Sequence, residues 1–123
     1  MKNVPPYDFV FDYLPATVIV NRVFGMYYIY LHQKNMLILR KLNKNLHLNG
    51  IWIATDVANH TSLKADVPGI TDFVLDSGKK HDSAWQLLRE QDDNFEMDAV
   101  KICGFISRGD ARIGKRTAKS ISL

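Results

Sequence analysis

The hydrophobic positions of this chain change their period several times, and each change marks an element. Tyr7, Val10, Phe11 and Leu14 recur at helical spacing, with Asp8 and Asp12 on the opposite side. That pattern predicts a two-turn amphipathic helix, which Pro15 stops. From Arg22 to Arg40 two apolar, β-branched and aromatic runs flank the polar loop His32-Gln33-Lys34-Asn35, and a β-hairpin is the expected result. Taken alternately, Phe24, Met26, Tyr28 and Tyr30 line one face, and Val23, Tyr27, Ile29 and Leu31 the other. Both faces are apolar, so both need cover. Gly25 then falls mid-strand, where a bulge or a close backbone approach would account for it.

Further along, Asn49-Gly50 predicts a turn and Ile51 to Thr55 a third strand, with Leu46 to Leu48 as a candidate partner segment. Asp56 is the expected N-cap of a helix that ends before Pro68-Gly69 and carries a thin stripe of Val57, His60, Leu63 and Val67. Ile70 to Leu75 alternates as a strand does. A polar loop from Asp76 to Ser83 follows, and then a short strand from Ala84 to Leu88. Asp92 or Asp93 opens the most regular helix, with Phe95, Ala99, Ile102, Cys103 and Ile106 on one face and Gly109 as the C-terminal cap. Beyond Asp110 the apolar period stops. The expected fold is α+β: a mostly antiparallel sheet of five or six strands, with N-terminal, middle and C-terminal helices on one face. Residues 1–109 form the domain, and 110–123 read as a basic arm or disordered tail.

Composition narrows the class. With 46% hydrophobic and 24% charged residues, the chain reads as one soluble globular domain with a core of its own. The lone Cys103 excludes an intrachain disulfide and a multi-cysteine metal site. Met1 to Pro6 lacks the apolar run of a secretory signal and no stretch approaches membrane-span length, so the expectation is a cytoplasmic protein without a membrane partner. Charge is uneven. Residues 101–123 hold six basic side chains against Asp110, a net +5, whereas residues 1–100 hold ten basic and twelve acidic, a net −2. Any nucleic-acid argument therefore rests on the C-terminal stretch.

Several motifs, in order, resemble the N-terminal domain of the TfoX family and its YjbR-like relatives. They are the opening Tyr-Asp-Phe-Val-Phe-Asp-Tyr-Leu, the strand entry Val23-Phe24-Gly25, and Asn49-Gly50-Ile51-Trp52-Ile53-Ala54-Thr55. Trp85-Gln86-Leu87-Leu88 and the closing Gly109 to Lys115 complete the set, which resembles a subgroup of small stand-alone proteins of unknown role. The usual Met-Phe-Gly is Val-Phe-Gly here, and Ala111 stands where the subgroup often has proline. The resemblance implies the α+β fold and a binding or regulatory module. Regulation of natural competence, the role of two-domain TfoX proteins, does not transfer through a shared fold.

No catalytic motif stands out. His32, His47, His60 and His81 lack the spacing that puts two imidazoles on one helical face, so no metal or cofactor is expected, and they read as loop residues. Cys103 lies on the apolar stripe and reads as core. Trp52, Trp85 and the tyrosines of the hairpin read first as packing. The alternative is a small ligand-binding protein or enzyme with a cleft near Trp52, Trp85, His60 and Tyr28. Arg108, Arg112, Lys115, Arg116 and Lys119 are the candidate nucleic-acid contacts, set against a merely solubilising terminus. The second apolar face of the 22–40 hairpin is the candidate interface for a homodimer.

Overall fold

The computed structural model describes residues 4–73 and 84–116. Its centre is a six-stranded antiparallel sheet: β1 (Ile19–Val23), β2 (Met26–Leu31), β3 (Lys34–Arg40), β4 (Gly50–Ile53), β5 (Ile70–Thr71) and β6 (Gln86–Arg89). The strand order is β1-β2-β3-β4-β6-β5, a four-stranded meander extended by a returning pair. Among the described residues two α-helices, α1 (His60–Asp66) and α2 (Phe95–Ser107), complete the regular structure, with short 3-10 turns at Asp8–Asp12, Leu46–Leu48 and Val57–Asn59. The fold is α+β, as the pattern of periods implies.

The core lies on one face of the sheet. Tyr27, Ile29 and Leu31 from β2, Leu37 and Leu39 from β3, Ile51 and Ile53 from β4, and Leu88 from β6 form its floor. Val10 and Leu14 from the first turn, Leu63 and Val67 around α1, and Phe95, Ala99, Ile102, Cys103 and Ile106 from α2 pack down on it. The predicted stripe of α2 is thus the buried one, and Gly109 follows the helix with a positive φ of 76°. Its N–H and that of Asp110 return to the carbonyls of Ile106 and Phe105. The opening segment buries the expected Val10 and Leu14 but winds as a 3-10 turn, tighter than the α-helix its spacing suggested.

Three local expectations change. The sheet has two consecutive hairpins where the sequence suggested one. Val23 pairs with Met26, so Phe24 and Gly25 are the two residues of a tight turn, with φ of 53° and 81°. Gly25 is therefore a turn residue, and Val23-Phe24-Gly25 ends β1. Next, Leu31 pairs with Lys34, so the expected four-residue loop shrinks to His32-Gln33, both left-handed (φ 53° and 65°). Positive φ at both central positions is the geometry that matches strand twist in two-residue hairpins, although asparagine and glycine are its usual occupants.

The third change concerns Asn49-Gly50. These residues do not close a hairpin; Gly50 begins β4 opposite Arg40 and Arg89. The buried Asn49 side chain accepts from Leu42 N and Arg40 Nη1 and donates to Leu42 O, all at 2.8 to 3.0 Å. Arg40, itself buried, also caps the carbonyls of Asn45 and Lys44. One amide and one guanidinium thereby tie down the whole β3–β4 excursion. Asp56 precedes the 3-10 turn and makes no side-chain cap there. β5 is only two residues long, and the rest of the strand expected at Ile70–Leu75, with the Asp76–Ser83 loop, lies largely outside the described residues.

Candidate functional site

The sheet's second face carries two of the four residues proposed for an aromatic cleft. Tyr28, Ile38, Trp52 and Leu87 stand in one row across β2, β3, β4 and β6. Ile38 and Leu87 are 3% and 2% exposed between and beside the aromatic positions. The indole N–H of Trp52 donates to Leu48 O at 2.9 Å, and its ring meets Phe73 edge-on at 4.9 Å. A half-buried tryptophan so held has its polar handle satisfied and its ring engaged by an aromatic neighbour.

His60 belongs elsewhere. It opens α1, whose Leu63 packs into the core on the opposite face, and its Nε2 lies 2.7 Å from Ala84 O. Trp85 immediately precedes β6, and its carbonyl accepts from Gln86 Nε2. Trp52 and Tyr28 thus share a face that the helix bearing His60 does not cover. Gln86, fully buried, also donates to Asp72 Oδ1 at 2.8 Å, where Lys64 Nζ arrives at the same distance. Among the described residues no three His, Cys, Asp or Glu side chains converge as metal ligands.

The basic stretch after α2 is extended but docked. Asn35 and Lys115 exchange both backbone hydrogen bonds, Gly114 N donates to Ala54 O at 2.8 Å, and Thr55 Oγ1 donates to Arg112 O at 2.6 Å. Ile113 is 3% exposed and belongs to the core. Arg112 is the clamp. Its Nε and Nη2 grip Asp110 (3.0 and 2.7 Å), its Nη1 reaches Asp66 at 2.9 Å, and its guanidinium stacks over Phe105 at 5.1 Å. The hydrogen bonds from Arg112 hold the Asp110 carboxyl below the usual carboxylate range, against the opposing effect of burial.

The other candidate cations are partly engaged as well. Arg108 lies over Phe105, Lys115 pairs with Asp56 at 3.3 Å, and Arg116 reaches Gln33 at 3.4 Å; Lys119 lies outside the described residues. Arg112 spends its charge within the fold. Sequence reasoning could not separate a clamp from a phosphate contact, because Asp66 lies far back in the chain and spacing alone does not show that Asp110 and Phe105 face the guanidinium.

Cys103 is fully buried, and burial pushes its thiol up to about 12. Thiolate is then scarce at neutral pH, and the side chain serves the core. At pH 8 the folded chain should resist a maleimide or a disulfide reagent that labels the urea-unfolded chain within minutes. Rapid native labelling would show that α2 opens readily.

Sequence reasoning missed a cleft of about 250 Å³ at the β2–β3 turn. Its walls include Leu31, Met36, Ile106 and Ile113, and its rim includes His32, Lys34, Ser107 and Asp110. The Ser107 hydroxyl donates to Tyr13 O at 2.8 Å, fixing the end of α2 against the opening segment. The only signal in the sequence was the polar composition of the turn.

No family model, curated protein or solved structure matches this chain. No helix among the described residues is long and apolar enough to cross a membrane.

Proposed function

We propose that this chain is a non-catalytic binding or regulatory module of the TfoX/YjbR-like type that self-associates through the outer face and tip of the β1–β2 hairpin. One observation carries the reading: Phe24 is 90% exposed and left-handed. Left-handed backbone costs an ordinary residue about 1–2 kcal/mol, and exposing a phenylalanine forgoes the burial that such a residue normally contributes. The fold needs neither, since Asn-Gly would close the same turn. Ile19, which pairs with Tyr30 on that outer face, is 56% exposed. From Ile19 to Met26 the only charged residue is Arg22, so the patch suits an apolar protein surface better than a phosphate backbone. A second copy supplies such a surface by symmetry. The buried, protonated Cys103 supports the non-catalytic part of the reading.

Sedimentation equilibrium tests it. The wild type should run at twice the monomer mass, and Phe24→Asn, which suits a left-handed turn position, should run as a monomer while melting no lower. A charge at the half-buried Tyr28 should lower the mass in the same way. A wild type that stays monomeric at every soluble concentration sinks the proposal.

A further inference from the structure

We infer that the cleft between the β2–β3 turn and the C-terminal end of α2 binds a small amphiphilic carboxylate, its apolar body between Leu31, Met36, Ile106 and Ile113 and its head group at His32 and Lys34. The inference goes beyond the proposed hairpin interface, which lies at the opposite end of β2.

Three observations converge. The first is the cavity. About 250 Å³ corresponds to the liquid volume of about eight waters, room for a ligand of roughly that many non-hydrogen atoms. The four apolar wall residues are 3–7% exposed and belong to the core, so the floor is rigid and pre-formed.

The second is charge. Two of the rim side chains, His32 and Lys34, are basic, and one, Asp110, is acidic. Asp110 is already matched by Arg112 at 2.7 Å. Among the described residues Lys34 makes no ion pair and no side-chain hydrogen bond. A Cβ at Gly114 would lie 3.3 Å from Lys34 Cδ, so the lysine stem runs along that residue. The uncompensated charge at the mouth is therefore positive, which selects an anion, and a carboxylate is the anion an ammonium and an imidazole can share by hydrogen bonds.

The third is strain. His32 and Gln33 are both left-handed, at a turn that asparagine and glycine would close with less strain. Non-glycine residues in such conformations gather at ligand sites, where the neighbouring structure holds them in place. Here the strained position brings His32 to the rim.

Hexanoate, hexan-1-ol and acetate are the probes, followed by amide chemical shifts of the intact chain. Hexanoate should give saturable shifts confined to the surroundings of His32, Lys34, Ser107 and Ala111. Hexan-1-ol should bind about tenfold more weakly for want of the charge, and acetate, lacking the tail, should not saturate. Lys34→Gln should weaken hexanoate about tenfold and leave hexan-1-ol unchanged, which separates head-group recognition from damage to the cavity. His32→Asn should also weaken hexanoate yet raise the melting temperature, because it relaxes the turn. Equal affinity for acid and alcohol, shifts centred elsewhere, or no saturable shift would each overturn the assignment. Sedimentation of these variants should stay at the wild-type mass, so failure here and failure of the hairpin interface read out separately.

Discussion

Gly50→Ala should lower the unfolding free energy by about 4 kcal/mol or more, enough to unfold a domain of ordinary stability. Gly50 has a φ of 144°, and an added Cβ would be driven against the carbonyl oxygen of Leu88, with Glu90 N at 2.9 Å and Arg89 Cα at 3.0 Å. All three are backbone atoms of one strand and its exit, so no side chain can swing away to make room. Nor can that backbone retreat. The β4–β6 ladder pairs Gly50 with Arg89 and Ile51 with Leu88, and Glu90 N donates to Asn49 O at 3.0 Å. Relief would require parting β4 and β6, the adjacent strands that carry Ile51, Ile53 and Leu88. Gly109→Ala is the control. Its φ of 76° is also left-handed, but a Cβ there meets nothing within 4 Å, so only backbone strain remains, about 1 kcal/mol. Urea midpoints for the two variants measure the difference. Equal midpoints would mean that β4 and β6 part more easily than their ladder implies.

The second large effect is expected at Arg112. Arg112→Ala should cost about 2 kcal/mol, from the loss of a bidentate carboxylate pair and of stacking over Phe105. Asp66, whose side chain is half exposed, contributes the smaller share. Arg112→Lys should recover less than half, because an ammonium cannot reproduce the planar fork that grips both Asp110 oxygens. The same pair sets a pH signature. Since Arg112 depresses the Asp110 carboxyl in the folded state, the stabilisation is fully present above the ordinary aspartate value of about 3.9. It disappears as pH falls through the lower folded-state value. Wild-type stability should thus slope downward in that acid window, and Arg112→Ala should flatten the slope. Some slope should persist in the variant, because Lys41 and Tyr7 hydrogen bonds outweigh burial and depress Glu90 as well. Urea titrations at a series of acid pH values test this; an unchanged slope in Arg112→Ala would detach Asp110 from acid unfolding.

What could be read in the sequence follows from which interactions are local. The stripe Phe95, Ala99, Ile102, Cys103 and Ile106 repeats within one element, so its buried face was legible before any partner was known. The alternation of Tyr27, Ile29 and Leu31 was legible for the same reason. Phe24-Gly25 was not legible as a turn, because phenylalanine is a poor occupant of its left-handed first position and the apolar run seemed to continue through it. Asn49-Gly50 misled in the opposite sense. The amide of Asn49 serves Leu42 and Arg40, and the missing side chain of Gly50 serves β6, both long-range demands that imitate a local turn signal. The candidate site suffered most. Tyr28 and Trp52 fall in one row because β2, β3 and β4 are neighbours. His60 falls on the other side because α1 packs there, and no spacing along the chain encodes either fact.

The docked C-terminal arm bears on how the molecule assembles. Asn35 cannot complete its backbone pairing until Lys115 arrives, so a contact near the first quarter of the chain waits for one near its end. Tyr7 makes a similar stitch, its hydroxyl lying 2.7 Å from Glu90 Oε1 and 2.9 Å from Arg40 O. Closing such long loops is entropically slow, whereas the meander of β1 to β4 needs only short closures, most of them tight turns. During synthesis the meander can therefore form while the arm is still inside the ribosome. The space left for Ile113, beside Leu31, Met36 and Ile106, stays open to water until the arm emerges and docks.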